Sequence, residues 1–329
     1  MAPPELRVQN GRFTLTAPIG SGGQARVWLG DDQLLDRSVA LKQLVPRNGG
    51  EGASAVRSRA INEARAMAKV RHPAIVTIYE MFFTKGDVDT GFIDGDPETG
   101  TPWLVMEYVD GRSLQDLIDR PPAGTPLGDA TIARIGLEVL DGLAAVHRAG
   151  VVHRDVKPDN ILIAGDPAAG DSPVYLVDFG AVRISGSNRV TQPNHVMGTL
   201  AYVSPERLNH EEDVPAADLW SLGATLYCAV DGEPPFPSVS AIRFEQPPPP
   251  RRRSELTGII FRMLVKDPEQ RAKAGEVRDA LEEVGRGGTR AGRTVPDADP
   301  HGDGGYRQAS RGAPGGSGWE SADWPPRGG

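Results

Sequence analysis

The octapeptide HRDVKPDN at positions 153–160 brings one histidine, two aspartates, two cations and an asparagine into eight residues, and the tripeptide DFG follows at 178–180. Phosphoryl transfer from a nucleotide needs such groups: an acceptor for a hydroxyl proton, hard oxygen ligands for a divalent cation, and positive charge beside the moving group. In that chemistry Asp155 accepts the proton, Lys157 stabilises the transferred phosphoryl, and Asn160 with Asp178 holds the metal. His153 and Phe179 are then packing elements. Taken singly, HRD and DFG are also ordinary turn tripeptides.

Upstream, IGSGGQARVWLG at 19–30 carries Gly20, Gly22 and Gly23 between two strand-like stretches. Glycine lets backbone N–H groups approach phosphate oxygens without a Cβ in the way, although a glycine-rich hairpin is also simply a turn. VALK follows some twenty residues later and puts Lys42 on the adjoining strand. In SAVRSRAINEARAMAKV, a helical stripe of Val56, Ala60, Met67 and Val70 includes Glu63, an inward carboxylate. An unpaired buried charge is costly, so Lys42 and Glu63 are expected to pair.

The elements that must position these groups fall into two sets. From Phe13 to about Leu44, short β-branched segments broken by Gly and Asp predict consecutive antiparallel strands. AIVTIYEMFF and PWLVMEYV predict two more, separated by TKGDVDTGFIDGDPETGT, which reads as an exposed loop. Beyond Gly111 the pattern is helical: DATIARIGLEVLDGLAAVHRAG has Asp129 as a cap candidate and Gly150 at its stop. NILIA and VYLVDFG are short strands, and the last helices are expected near 254–265 and 274–284. The fold class is α+β, with a small antiparallel sheet lobe carrying one helix and a larger, mainly helical lobe. From residue 285 the Gly- and Pro-rich composition offers too little apolar surface to offset ordering, and disorder is expected through 329.

At 329 residues the chain is long enough for two lobes, and its net charge of −8 argues against non-specific nucleic-acid binding. The single cysteine, Cys228, sits in an apolar run and excludes an intrachain disulfide. With no signal peptide visible and no uncharged apolar run of about 20 residues, the expectation is a cytoplasmic protein without membrane contact.

The ordered series GSGGQARV, VALK, Glu63, HPAIV, VMEYV, HRDVKPDN, DFG, GTLAYVSPE, DLWSLG and DPEQR resembles the eukaryotic-type (Hanks-type) protein kinases, particularly their bacterial serine/threonine branch. The resemblance covers about residues 11–284, with a small lobe at about 11–106, a large lobe at about 110–284 and an N-terminal extension at 1–10. It implies ATP and magnesium, with manganese as an alternative metal. It places Ile19, Val27, Ala40 and Leu162 about the adenine, and Gly20, Ser21, Gly22 and Gly23 over the phosphates. Met106 becomes the gatekeeper before the hinge, Glu107 to Val109. It also implies a Glu206–Arg271 pair and an Asp218 that holds the catalytic-loop backbone. Lys157 and Thr199 point to protein Ser/Thr acceptors. Two other readings compete: an ATP-binding pseudokinase scaffold, against which all four of Lys42, Asp155, Asn160 and Asp178 are present, and a small-molecule phosphotransferase, against which GTLAYVSPE counts.

Between Asp178 and Glu206 the chain is rich in hydroxyls, and Arg154 precedes Asp155, as in kinases whose loop is ordered by phosphate. Thr191 is the expected autophosphorylation site, with Ser185 and Ser187 as lesser candidates and self-association as the route. Three features depart from the pattern. Ala25 stands where a third loop glycine is usual, PSVSAIRFEQPPPPRRRSELTGII leaves little room for the usual helix, and RRR reads as a solvated charge run. The tail is read as a leash, with Trp319 and Trp324 as a candidate binding motif and Thr289, Thr294 and Ser310 as candidate phosphosites.

Overall fold

The computed structural model describes residues 6–21, 25–44, 58, 61–62, 64–87, 91–97, 99–167, 169–178, 200–209 and 214–287. All belong to the first of two units, Met1–Ala291; the second, Gly292–Gly329, lies outside the described residues.

Seven strands form the first sheet: β1 (Leu6–Val8), β2 (Phe13–Ser21), β3 (Ala25–Asp32), β4 (Arg37–Leu44), β5 (Ile78–Asp87), β6 (Gly91–Asp94) and β7 (Thr101–Glu107), in the order β1-β2-β3-β4-β7-β5-β6. Alternation along a strand sorts side chains to two faces. In β4, Val39 and Leu41 join Phe13, Phe82, Trp103 and Val105 in a core on one face. Phe82 stacks between Phe13 and Trp103 at 5.6 and 5.8 Å, and the buried Trp103 indole N–H donates to Thr84 Oγ1 at 2.8 Å. The opposite face of β4 carries Ala40 and Lys42.

Two features of this sheet differ from the sequence expectation. TKGDVDTGFIDGDPETGT is no simple loop: Thr84–Asp87 and Gly91–Asp94 pair antiparallel as a hairpin that extends the sheet. Its alternation is hidden because, at the sheet edge, one face stays exposed, as with Ile93 at 67%. Ahead of residue 11, β1 is hydrogen-bonded to β2, and the Asn10 N–H donates to Asp94 Oδ1 at 3.2 Å, bringing the two sheet edges together.

The larger lobe contains β8 (Arg112–Ser113), β9 (Ile161–Ile163) and β10 (Val174–Leu176) in a three-stranded sheet. Its helices are α1 (Leu114–Asp119), α2 (Asp129–Arg148), α3 (Pro205–Leu208), α4 (Pro215–Asp231), α5 (Val239–Phe244), α6 (Thr257–Met263) and α7 (Ala274–Gly287). Gly128, not Asp129, caps α2; Asp129 is its first helical residue. Helix α4 is buried all round from Ala217 to Val230 and stops at Gly232, whose φ of 93° suits only glycine. Gly223 lets α6 approach α4: a Cβ there would lie 2.7 Å from Met263 Cβ.

The segment after Phe236 still forms a helix, α5, capped by the Ser238 hydroxyl accepting from the Ala241 N–H at 3.0 Å. RRR is exposed at Arg251 and Arg253, as a solvated run would be, and two of its arginines are also paired. Arg251 Nε donates to Asp231 Oδ2 at 3.0 Å, while Arg252 donates to Asp129 Oδ1 at 2.7 Å and to the Val230 carbonyl at 2.8 Å. These bonds tie the end of α4 to the start of α2, where cations and anions respectively complement the helix ends.

Candidate active site

Cross-strand register aligns the first group of site residues. Gly20 pairs with Val27, Val27 with Lys42 and Lys42 with Leu104; in the next row Leu29 pairs with Ala40 and Ala40 with Met106. Directly opposite residues share a face, so Gly20, Val27, Ala40, Lys42 and Met106 line one side of the sheet. Ile19 sits at a register shift in β2 and is exposed. Beyond Met106, the Glu107 N–H donates to the Thr77 carbonyl at 2.9 Å and the Glu107 carboxylate accepts from the Thr77 N–H at 3.2 Å. This clasp fixes the strand leading into Val109.

The second group hangs on β9 and β10. Their antiparallel pairing, continued by the Val177 N–H donating to the Asn160 carbonyl at 2.9 Å, brings the two polar loops side by side. Asn160 Nδ2 donates to Asp155 O at 2.7 Å and to Asp155 Oδ2 at 2.9 Å. Lys157 Nζ donates to Asp155 Oδ2 at 3.1 Å. Lys42 Nζ contacts Asp178 Oδ1, joining the sheet to this cluster. Leu162 follows on β9, partly buried. Lys42, Asp155, Lys157, Asn160 and Asp178 are thus brought together across 136 residues of chain. Glu63, Gly22, Gly23, Phe179, Thr191 and Thr199 lie outside the described residues, as does the expected Lys42–Glu63 pair.

Burial sets the electrostatics. It pushes the Lys42 ammonium down to about 8, against the opposing charge of Asp155. His153 is pushed down to about 4 by burial, against Asp218 and Asp155, and is neutral at pH 7. Beneath the loop, Asp218 accepts from the His153 N–H, the Arg154 N–H and His147 Nε2, each at 2.8 Å. Burial would raise the Asp218 carboxyl, but the bonds it accepts, from His147 and from the Arg154 N–H among them, outweigh it and hold it below its ordinary value. Arg154 and Asp178 both take left-handed backbone, φ 70° and 61°, a conformation non-glycine residues rarely adopt. Farther down, Arg271 Nη1 and Nη2 donate to Glu206 Oε1 and Oε2 at 2.7 and 3.0 Å in a fully buried fork. Both structural ties implied by the resemblance are present.

Sequence reading missed His147. Leu140, Leu143 and His147 share the inward stripe of α2, so helical periodicity carried the signal. It also missed Arg207, which donates to the Arg154 carbonyl.

The donor set suits a hard cation. Because Asn160 commits its amide NH2 to Asp155, its carbonyl oxygen is the side-chain group it can offer, and Asp178 adds carboxylate oxygen. Among the described residues no cluster of three or more His, Cys, Asp or Glu is gathered for a metal. Carbonyl and carboxylate oxygens are the donors that hard divalent cations take.

A family model described as protein kinase domain matches residues 13–281. The chain belongs to the protein kinase family. Within that family it is 38% identical over 241 residues to the serine/threonine-protein kinase PknL of Mycobacterium tuberculosis, covering 73% of this chain and 54% of that protein. To PknB of Mycolicibacterium smegmatis it is 34% identical over 290 residues, covering 84% and 43%. The chain thus spans about half the length of the curated kinases it matches. Among solved structures, the PknI kinase domain of Mycobacterium tuberculosis superposes with a TM-score of 0.60 at 25% identity, over 84% of this chain and 98% of that one. The bilobal fold expected from the motifs is that of the protein kinases.

Proposed function

We propose that this kinase-family chain transfers the γ-phosphoryl group of ATP to serine or threonine hydroxyls of proteins. The observation that carries the reading is the convergence of Lys42, Asp155, Lys157, Asn160 and Asp178 beside the sheet face formed by Gly20, Val27, Ala40 and Met106. In this reading Asp155 accepts the hydroxyl proton while Asn160 and Lys157, both bonded to its Oδ2, fix its orientation. Lys157 and Lys42 offer positive charge to phosphate oxygens, and Glu63 keeps its role as partner of Lys42. Asn160 and Asp178 hold magnesium, or manganese in its place, which when bound neutralises phosphate charge. Adenine lies among Ile19, Val27, Ala40 and Leu162, with its edge on the backbone of Glu107 to Val109; Ser21, Gly22 and Gly23 cover the phosphates.

Regulation by autophosphorylation at Thr191, through self-association, and work as a signalling phosphoprotein in the cytoplasm complete the proposal. The domain is taken as about 11–284; β1 pairs with β2 ahead of it, and α7 runs on to Gly287, three residues into the stretch expected to be disordered. The net charge of −8 favours protein over nucleic-acid partners. No helix among the described residues is long and apolar enough to cross a membrane.

The test is incubation of the chain with γ-labelled ATP, magnesium and a basic acceptor protein, followed by phosphoamino-acid analysis. Phosphoserine or phosphothreonine is expected. Phosphotyrosine alone would overturn the substrate class, and ATP binding without incorporation would make the chain a scaffold.

A further inference from the structure

Side chains from two helices hold the backbone just ahead of Asp155. From α4, Asp218 accepts from the His153 and Arg154 N–H groups, each at 2.8 Å. From α3, Arg207 Nη1 donates to the Arg154 carbonyl. Asp218 is expected there from the motif series; nothing in that series calls for a cation at 207. The carbonyl that Arg207 grips belongs to the same peptide unit as the Asp155 N–H, which donates to His153 Nδ1 at 3.3 Å. A peptide unit is rigid and planar. A side chain that fixes the direction of its carbonyl therefore also fixes the direction in which the Asp155 Cα leaves.

Control of this plane matters because Arg154 has a φ of 70°. Non-glycine residues keep such a conformation only where surrounding contacts impose it. Asp218 grips Arg154 on its N–H side and Arg207 on its carbonyl side, so release of either lets the backbone that carries Asp155 rotate. Asn160 and Lys157 orient the Asp155 carboxylate, but they lie five and two residues along the same loop and move with it. Arg207 is rooted outside that loop. Its neighbour Glu206 takes the buried fork from Arg271 at 2.7 and 3.0 Å. Its other neighbour, the buried Leu208, has its carbonyl held by Arg243 Nη2 of α5 at 2.9 Å. Helix α3 is thus a strut between these anchors and the loop, and a planar guanidinium on it delivers its donors in a defined direction.

We infer that Arg207 is a positioning residue for phosphoryl transfer, holding through the Arg154 carbonyl the peptide plane from which Asp155 meets the acceptor hydroxyl. Its effect on rate rests on the kinase reading of Asp155; its tie to the loop is read without turnover.

Arg207→Met removes the donor while keeping an extended side chain, whereas Arg207→Lys keeps a charged donor. The full chain is followed by steady-state transfer to a protein acceptor with ATP and magnesium, by thermal melting, and by amide hydrogen exchange at 154 and 155. Arg207→Met is expected to lower kcat about 10- to 100-fold, the scale of a small misplacement of a reacting group, while KM for ATP stays within about threefold of the wild type. Exchange at 154 and 155 should quicken severalfold, with amides in the middle of α4 unchanged. Arg207→Lys should recover most of the lost rate, a recovery that side-chain bulk alone does not give. Should melting show that Arg207→Met does not fold, Arg207→Gln, polar but shorter, takes its place with the same expectations. In an active wild type, an unchanged kcat in the donor-less variant, a lysine variant equally slow, or unmoved exchange overturns the inference. A wild type that binds ATP without transferring phosphate sinks the kinase reading and the rate effect together, and exchange at 154 and 155 then decides whether Arg207 holds the loop.

Discussion

Acid should weaken this fold well before its carboxylates titrate, and His153 is the cause. The ring is fully buried, and burial pushes it from 6.5 down to about 4. The unfolded chain therefore takes up a proton near pH 6.5, while the folded chain resists until about pH 4. The stabilisation is complete above 6.5 and is lost as pH falls towards 4. Two and a half pH units correspond to about 3 kcal/mol, of which roughly 2.5 kcal/mol is gone by pH 4.5. Asp218 works in a different window: its lowered carboxyl contributes above 3.8 and fails only below that, so it adds little between pH 7.5 and 4.5. The assay is urea unfolding at those two pH values, followed by tryptophan fluorescence, for the wild type and His153→Phe. The variant keeps a ring but cannot titrate. It should be less stable at pH 7.5, yet lose about 2.5 kcal/mol less on acidification, a difference of about 1 M in midpoint shift. An equal fall in both proteins would refute the argument.

Arg271→Ala leaves Glu206 buried without its fork and should cost about 3–5 kcal/mol, lowering the melting temperature by roughly 10 °C; adding Glu206→Gln should recover part of the loss. Gly223→Ala drives a methyl to 2.7 Å from Met263 Cβ and should cost about 1–3 kcal/mol in the same melt. Because burial brings Lys42 down to about 8, it is charged below that pH and neutral above. Nucleotide affinity, read by fluorescence titration from pH 6.5 to 9.5, should therefore weaken as pH rises past 8. Lys42→Arg should remove that inflection, since a guanidinium stays charged throughout.

Much of the fold was legible because the elements near the site obey local rules. The strand alternation of VALK, the stripe of α2 and the unbroken apolar run of α4 each follow the period of their element. The hairpin at Thr84–Asp94 was not legible, since an edge strand rich in Asp and Gly carries neither an apolar run nor a clean alternation. The pairing of the arginines at 251 and 252 was not legible for a related reason. Their partners, Asp231 and Asp129, lie 20 and 123 residues away, and only the packing of α4 against α2 brings them within reach. For the site itself, spacing along the chain exposed Asp155, Lys157 and Asn160. The contact between Lys42 and Asp178 instead needed the sheet and the β9–β10 ribbon to meet. Asp218 was readable only through the family pattern, because nothing local to α4 says what a buried carboxylate there would hold.

The measurement that bears most directly on the central claim separates binding from chemistry at Asp155. Its carboxylate is bonded by Asn160 and Lys157, so Asp155→Asn keeps the shape and removes the proton acceptor. Single-turnover phosphoryl transfer to a serine or threonine acceptor should fall by about 10²- to 10⁴-fold, while the Kd for ATP with magnesium stays within a factor of about three of the wild type. Transfer at an undiminished rate would contradict the assignment of Asp155, and with it the reading of the cluster as a catalytic centre.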